Sequence, residues 1–176
     1  LRAPQYETRL GGGWLGNFES PEYRQAVERT RQYILAGDVF QVNLSQRLLC
    51  PERCPASELV LRLRQVNAAP FAGYLDLGDS QIVSASPERF IQVRDRWIET
   101  RPIKGTRKRS GDPHRDAQLK EELRLSEKDR SENIMIVDLL RNDLSRICEI
   151  DSLTVDRLCE IETFPFLLHM VSSIRG

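Results

Sequence analysis

The chain has 176 residues, 26 basic and 26 acidic, so its formal net charge is zero. That length supports one domain with a real core rather than two, and 40% hydrophobic with 30% charged residues is the balance of a globular protein. Neutrality argues against nucleic acid as the main partner, which needs a basic surplus, and the absence of any run of about 18 apolar residues argues against a membrane-spanning helix.

Leu1-Arg2-Ala3-Pro4 has neither a Met start nor an apolar signal core. A chain that begins inside a longer, cytoplasmic protein is the expectation. Residues 1–19 read as a linker from a preceding segment, with Gly11-Gly12-Gly13 as a flexible junction. A phosphate loop would need a Gly-Lys-Ser/Thr or Gly-x-Gly-x-x-Gly pattern after a strand, which is not here. Ser20-Pro21-Glu22 opens a helix, with Ser as N-cap and Pro at the first position. Tyr23, Ala26, Val27, Thr30, Tyr33 and Ile34 continue it at helical spacing, and Gly37 ends it. Val39 to Leu49 alternates as a strand, with Phe40, Val42 and Leu44 on one face. Ser57 to about Val66 is a second helix.

Short extended segments follow. Ala72–Leu77 and Gln81–Ala85 flank Gly78-Asp79 as a hairpin, and Phe90–Arg94 and Trp97–Thr100 flank Asp95-Arg96 as another. Asp112-Pro113 opens a helix to about Leu125, and Ser126 caps one to about Leu140. Ile147–Ile150, Leu153–Thr163 and Leu167–Ile174 read as strands. Strands and helices are segregated, so the class is α+β. Cys50, Cys54, Cys148 and Cys159 form no Cys-x-x-Cys pair, and His114 and His169 lack Cys neighbours at zinc spacing; the thiols read as reduced.

Thr100-Arg101-Pro102-Ile103-Lys104-Gly105-Thr106-Arg107 carries the most chemistry. Pro and Gly frame a tight turn after a strand, and Gly105 lets a ligand approach the backbone. Lys104 lies among Arg101, Arg107, Lys108 and Arg109. Neighbouring cations favour a neutral, nucleophilic amine and attract an anionic small substrate; an ordinary surface lysine is the plainer reading. Arg107-Lys108-Arg109 alone reads as a solvated loop. Asp129 and Glu132, three apart, share a helix face and suit Mg²⁺, which takes one or two carboxylates and keeps waters; an acid pair of this kind is usually only a solvated face. His169, in Phe164-Pro165-Phe166-Leu167-Leu168-His169-Met170-Val171-Ser172, is either a hydrogen-bonded core histidine or a general acid/base. No Gly-x-Ser-x-Gly elbow or Cys–His pair supports a hydrolase.

Taken together, Pro102-Ile103-Lys104-Gly105-Thr106, the stretch Ser131-Glu132-Asn133-Ile134-Met135-Ile136-Val137-Asp138-Leu139-Leu140-Arg141-Asn142-Asp143, and His169-Met170-Val171-Ser172 resemble the signatures of chorismate-binding enzymes. Gly37 to Arg47 and Ser84-Ala85-Ser86-Pro87-Glu88-Arg89-Phe90 fit as well. Lys104, where anthranilate synthases usually carry Ala, resembles the aminodeoxychorismate synthase component I branch. The resemblance implies an α+β fold of two antiparallel sheets in a sandwich with outer helices. Residues 20–176 would be part of the catalytic domain, its C-terminal part lying beyond Gly176.

It also implies conversion of chorismate and ammonia, supplied by a glutamine amidotransferase, to 4-amino-4-deoxychorismate for para-aminobenzoate and folate synthesis. Lys104 would attack C2 of chorismate and expel the C4 hydroxyl, His169 would assist that departure, and Gly105 and Thr106 would touch substrate. Glu132 would bind Mg²⁺ with Asp129 beside it, and Arg141 and Asp143 would hold the helix end. Asn67 to Ala72 resembles a tryptophan-holding segment, with Pro70, Phe71 and Ala72 as its candidate contacts; a helix end and turn fits these residues equally. The rivals are an anthranilate synthase large component, which releases pyruvate, and an inactive truncated binding module.

Overall fold

The computed structural model describes residues 8–51 and 54–176, which fall into two units, Leu1–Pro55 and Ala56–Gly176. In the first unit Gly12 and Gly13 take φ of +60° and +83°, the left-handed region that glycine enters without a Cβ penalty. They turn the chain between β1 (Thr8–Gly11) and β2 (Trp14–Gly16), so the expected flexible junction is a hairpin turn. Helix α1 (Ser20–Ala36) is capped one residue earlier than expected: Glu19 is the N-cap, and the Glu22 carboxylate accepts from its N–H at 2.8 Å. Gly37, at φ +82°, closes the helix as expected.

The long strand read over Val39–Leu49 shrinks to β3 (Leu48–Leu49), which pairs with β2. Its alternating apolar side chains find no core; Phe40 is 61% exposed. Two of its backbone groups bond to side chains instead. The Tyr23 hydroxyl donates to the Leu44 carbonyl, and the Arg47 N–H donates to Asn17 Oδ1, so these two groups need no ladder.

The second unit opens with α2 (Ala56–Val66), which packs on the hairpin of β4 (Phe71–Asp76) and β5 (Gln81–Ser86). Then come β6 (Gln92–Arg94), β7 (Trp97–Thr100) and β8 (Ile103–Lys108), the helices α3 (Pro113–Leu125) and α4 (Glu127–Ser145), and the strands β9 (Thr154–Thr163) and β10 (Leu167–Arg175). Strand β10 is the centre of an antiparallel five-stranded sheet. All of β9 runs along one edge; β8 and then β7 share the other, with β6 outside β7. Antiparallel sheets with helices packed on them give the α+β class expected from sequence.

Two local expectations fail here. The Pro–Gly turn after β7 is strand β8, because Pro102 only joins two strands that pair with the same partner, and Gly105 bends β8 without ending it. Ile147–Ile150 is a turn: Ile147 and Ile150 are 71% and 93% exposed, and the N–H groups of Ile147 and Cys148 fold back onto the Leu144 carbonyl. Helix α4 runs past Leu140 because Leu144, 5% exposed, joins Ile98, Val137 and Ile174 in one apolar cluster. Leu123, Cys159, Leu168 and Met170 form the other. Burying such side chains stabilises by about 1.5–3 kcal/mol each. Among the described residues no helix is long and apolar enough to cross a membrane.

Candidate functional site

Strand β8 bulges at the candidate residues. Thr106 stands opposite His169 and Ile103 opposite Val171, so two residues, Lys104 and Gly105, face the single Met170. Gly105 carries the bulge at φ +83°, a conformation in which one extra residue re-aims its neighbours. A Cβ on Gly105 would lie 2.8 Å from Asp129 Cβ and 3.0 Å from Leu123 Cδ1, so this strand meets α4 backbone to side chain. Lys104 Nζ lies 3.9 Å from Glu132 Oε1 on the same helix. Beyond the bulge Thr106 returns to the other face, where its Oγ1 lies 2.8 Å from His169 Nδ1.

The arginines flanking Lys104 do not surround it with free charge. Arg107 pairs with Asp129 at 3.0 Å, Arg109 with Asp116 at 2.8 Å, and Arg101 with Glu162. This corrects the expected cation cluster and the expected solvated loop alike: each guanidinium meets a carboxylate, and the Lys104 amine itself faces Glu132. The Asp129 carboxyl is partly buried, which opposes ionisation, yet the Ser126 hydroxyl, Arg107 and Lys128 together hold it below its ordinary range.

His169 is 7% exposed and stacks edge-to-face on Phe164, with ring centroids 5.3 Å apart. Burial pushes its pKa down, against the pull of Glu162 and Glu88. A ring held neutral this way acts as a hydrogen-bond donor and acceptor at neutral pH, not as a ready imidazolium.

Glu88 is the residue that sequence reasoning quoted without giving it a role. Its Oε1 accepts from the Ile103 N–H at 2.7 Å, next to Lys104. It lines, with Ser86, Arg89, Lys104, Ile136 and Leu140, a cavity of about 330 Å³. A second cavity of about 180 Å³ is lined by Pro70, Phe71, Arg89, Arg101, Glu162 and Phe164. Arg89 borders both: it pairs with Glu99, lies over the Phe71 ring at 5.7 Å, and keeps a buried Nε that has no hydrogen-bond partner among the described residues. Ala72 pairs with Ala85 inside the β4–β5 ladder. Of the residues singled out from sequence, the structure thus joins Lys104 to Glu132, Gly105 to Asp129, and Thr106 to His169. Pro70 and Phe71 lie at a separate cavity. Arg141 and Asp143 are exposed near the end of α4.

Asp129 and Glu132 are one helical turn apart, and among the described residues no third His, Cys, Asp or Glu converges with them. Two carboxylates fit Mg²⁺, which fills its remaining positions with water and substrate oxygens; they would not make a closed zinc site.

The family model described as chorismate binding enzyme matches residues 3–176. The chain is 45% identical to an aminodeoxychorismate synthase of Streptomyces pristinaespiralis over 89% of its own length and 22% of that protein's. It is 41% identical to an anthranilate synthase component 1 of Streptomyces coelicolor over 93% of its length and 32% of the relative's. The crystal structure of anthranilate synthase component I from Streptococcus pneumoniae superposes with a TM-score of 0.80 at 32% identity, covering 93% of this chain and 35% of that one. The chain therefore spans a third or less of these curated relatives.

Proposed function

The chain belongs to the chorismate-binding enzymes, and on that premise we propose that it serves the amination of chorismate to 4-amino-4-deoxychorismate. The observation that carries this reading is Lys104 itself: an amine on a bulged strand, 25% exposed, lining a cavity with Glu88 and 3.9 Å from Glu132. Lys104 forms a bond to C2 of chorismate as both ring double bonds shift and the C4–O bond breaks, the hydroxyl leaving as water with the proton lost from the amine. Ammonia then adds at C4, and the reverse shift releases the Lys104 nitrogen.

The resemblance would have His169 help the C4 hydroxyl leave; it lies with Thr106 on the face of β8 away from Lys104 and Glu132, so the substrate would have to reach both faces. In the tautomer whose Nδ1 accepts from the Thr106 hydroxyl, the ring proton sits on Nε2, where a neutral ring can donate a hydrogen bond to departing oxygen. Glu132 would hold Mg²⁺, with Asp129 beside it, and the ion when bound supplies positive charge for the ring carboxylate. Gly105 would touch substrate only through its backbone, because Asp129 and Leu123 fill the place of a Cβ, and Arg89 shares the cavity lining with Lys104. The ammonia source would be a glutamine amidotransferase, the product would feed para-aminobenzoate and folate synthesis, and the setting would be the cytoplasm. Pro70 and Phe71, with Ala72 beside them, would form a tryptophan site at the smaller cavity.

A second reading is favoured by the anthranilate synthases among the relatives at 41% identity: amination at C2 with loss of pyruvate. The products decide between them. The full-length protein is given chorismate, Mg²⁺ and ammonia, native and as Lys104→Ala. 4-Amino-4-deoxychorismate from the native protein, lost in the variant, supports the nucleophilic lysine. Anthranilate plus pyruvate from both moves the protein to the lyase branch, and no turnover by either supports the inactive binding module.

A further inference from the structure

Strand β10 has a bulge opposite it on each side. On β8, Lys104 and Gly105 face Met170; on β9, Leu158 and Cys159 face Ser172, with Cys159 at φ +55°. A non-glycine residue in that region persists only where its surroundings hold it. One pair of fully buried polar side chains touches both places. Asn133 on α4 donates through Nδ2 to the Met170 carbonyl at 3.4 Å. Its Oδ1 accepts from the Ser172 hydroxyl at 2.5 Å, and the Ser172 oxygen accepts from the Cys159 N–H at 2.9 Å. Both residues are 0% exposed.

Asn133 and the Met170 it bonds each neighbour a residue of the proposed chemistry. Asn133 follows Glu132 on α4; Met170 follows His169 on β10, and the bulge opposite Met170 is the one that presents Lys104. We infer that Asn133 and Ser172 are positioning residues: a buried polar clamp that locks α4 onto β10 and so sets Glu132 against Lys104 and His169 against Thr106. The link to catalysis rests on the chorismate reading; the geometry does not. An apolar pair at these two positions would fill the space but would not select one axial register of α4 on the sheet, because apolar contacts are non-directional and hydrogen bonds lose strength steeply with misalignment.

The test uses Asn133→Leu in the full-length protein, a change of similar size that removes its three side-chain bonds, to Met170, Ser172 and Cys159 Sγ, and leaves Ser172 accepting from the Cys159 N–H. Folding is checked by circular dichroism. Two quantities are then read: the titration midpoint of His169 by NMR, without substrate, and kcat and KM for chorismate with Mg²⁺ and ammonia. The clamp predicts that the His169 midpoint rises toward the ordinary histidine value as its packing loosens. It also predicts that kcat falls about tenfold or more while KM stays within about twofold, the pattern of misplaced reacting groups.

A folded variant with an unmoved His169 midpoint, or with unchanged kcat, overturns the proposal. If Asn133→Leu does not fold, Ser172→Ala, which deletes a single oxygen, is read by the same criteria. Absence of chorismate turnover in the native protein refutes the functional reading and leaves the His169 titration to decide the clamp.

Discussion

Replacing Gly105 by Ala should be far more damaging than the same change at Gly78, although both glycines have nearly the same backbone, φ +83° and +88°. An L-residue in the left-handed region costs about 1–2 kcal/mol, and this part is common to both sites, as is the stiffening of the unfolded chain. The surroundings differ. Nothing lies within 4 Å of a Cβ at Gly78, whereas at Gly105 it would meet Asp129 Cβ at 2.8 Å and Leu123 Cδ1 at 3.0 Å. Neither neighbour can yield freely. The Asp129 atom is at the root of its side chain on α4, and Leu123 is 0% exposed inside the core.

Overpacking of this kind costs about 1–3 kcal/mol. At about 2–4 °C per kcal/mol for a chain of this size, Gly105→Ala should melt roughly 2–12 °C below Gly78→Ala, followed by circular dichroism under identical conditions. Equal melting temperatures, or a higher one for Gly105→Ala, would refute the claim that β8 and α4 meet without room for a methyl group.

Three further expectations follow from the same geometry. The depressed pKa of His169 means that the unfolded chain binds the extra proton first as pH falls. The stabilising contribution is complete above the unfolded value of about 6.5 and is lost as pH drops through the lower folded midpoint. Glu88→Gln removes one of the two charges that oppose this depression, so the NMR midpoint of His169 should fall further; a rise would show that Glu88 does not face the ring. Asp112→Ala removes the carboxylate that accepts from the Arg115 N–H at 2.8 Å and should cost about 1 kcal/mol in urea unfolding, with an unchanged midpoint dismissing the cap. Glu132→Gln should abolish Mg²⁺ binding in calorimetry on the full-length protein, with Asp129→Asn weakening it less; retained binding in the first variant would remove Glu132 from the ligand set.

Helix boundaries were legible because their signals are local. Gly37 after an apolar-periodic run, Asp112-Pro113 and Ser126 each cap a helix where the sequence places them. Strands were legible where alternation coincided with burial or a tight turn, as in β4–β5 around Gly78. Val39–Leu49 alternates as clearly and is mostly not strand, because alternation describes a face and not the partner that must cover it. The Lys104 segment misled in the opposite direction. Pro102 and Gly105 look like a turn in one dimension; only the shared partner β10 makes them a joint and a bulge in a continuous edge.

The candidate residues were picked out by resemblance, but their electrostatic partners were not legible. That Arg107, Arg109 and Arg101 would each be claimed by a carboxylate 7 to 61 residues away is a property of packing. So is the approach of Glu88 to Lys104 and the burial of Asn133 beside Glu132.

The strand that bears His169 is paired along both edges and buries the side chains of Leu168, Met170, Val171, Ser172, Ser173 and Ile174. Amides in such a strand exchange with solvent only through large-scale opening. A mutational scan scored by activity alone will therefore register nearly every change from Leu168 to Ile174 as a loss, whichever residues touch a substrate. In this segment the number of functional molecules and the competence of each one have to be measured separately, by soluble yield and by turnover per folded molecule, before a residue is credited with chemistry.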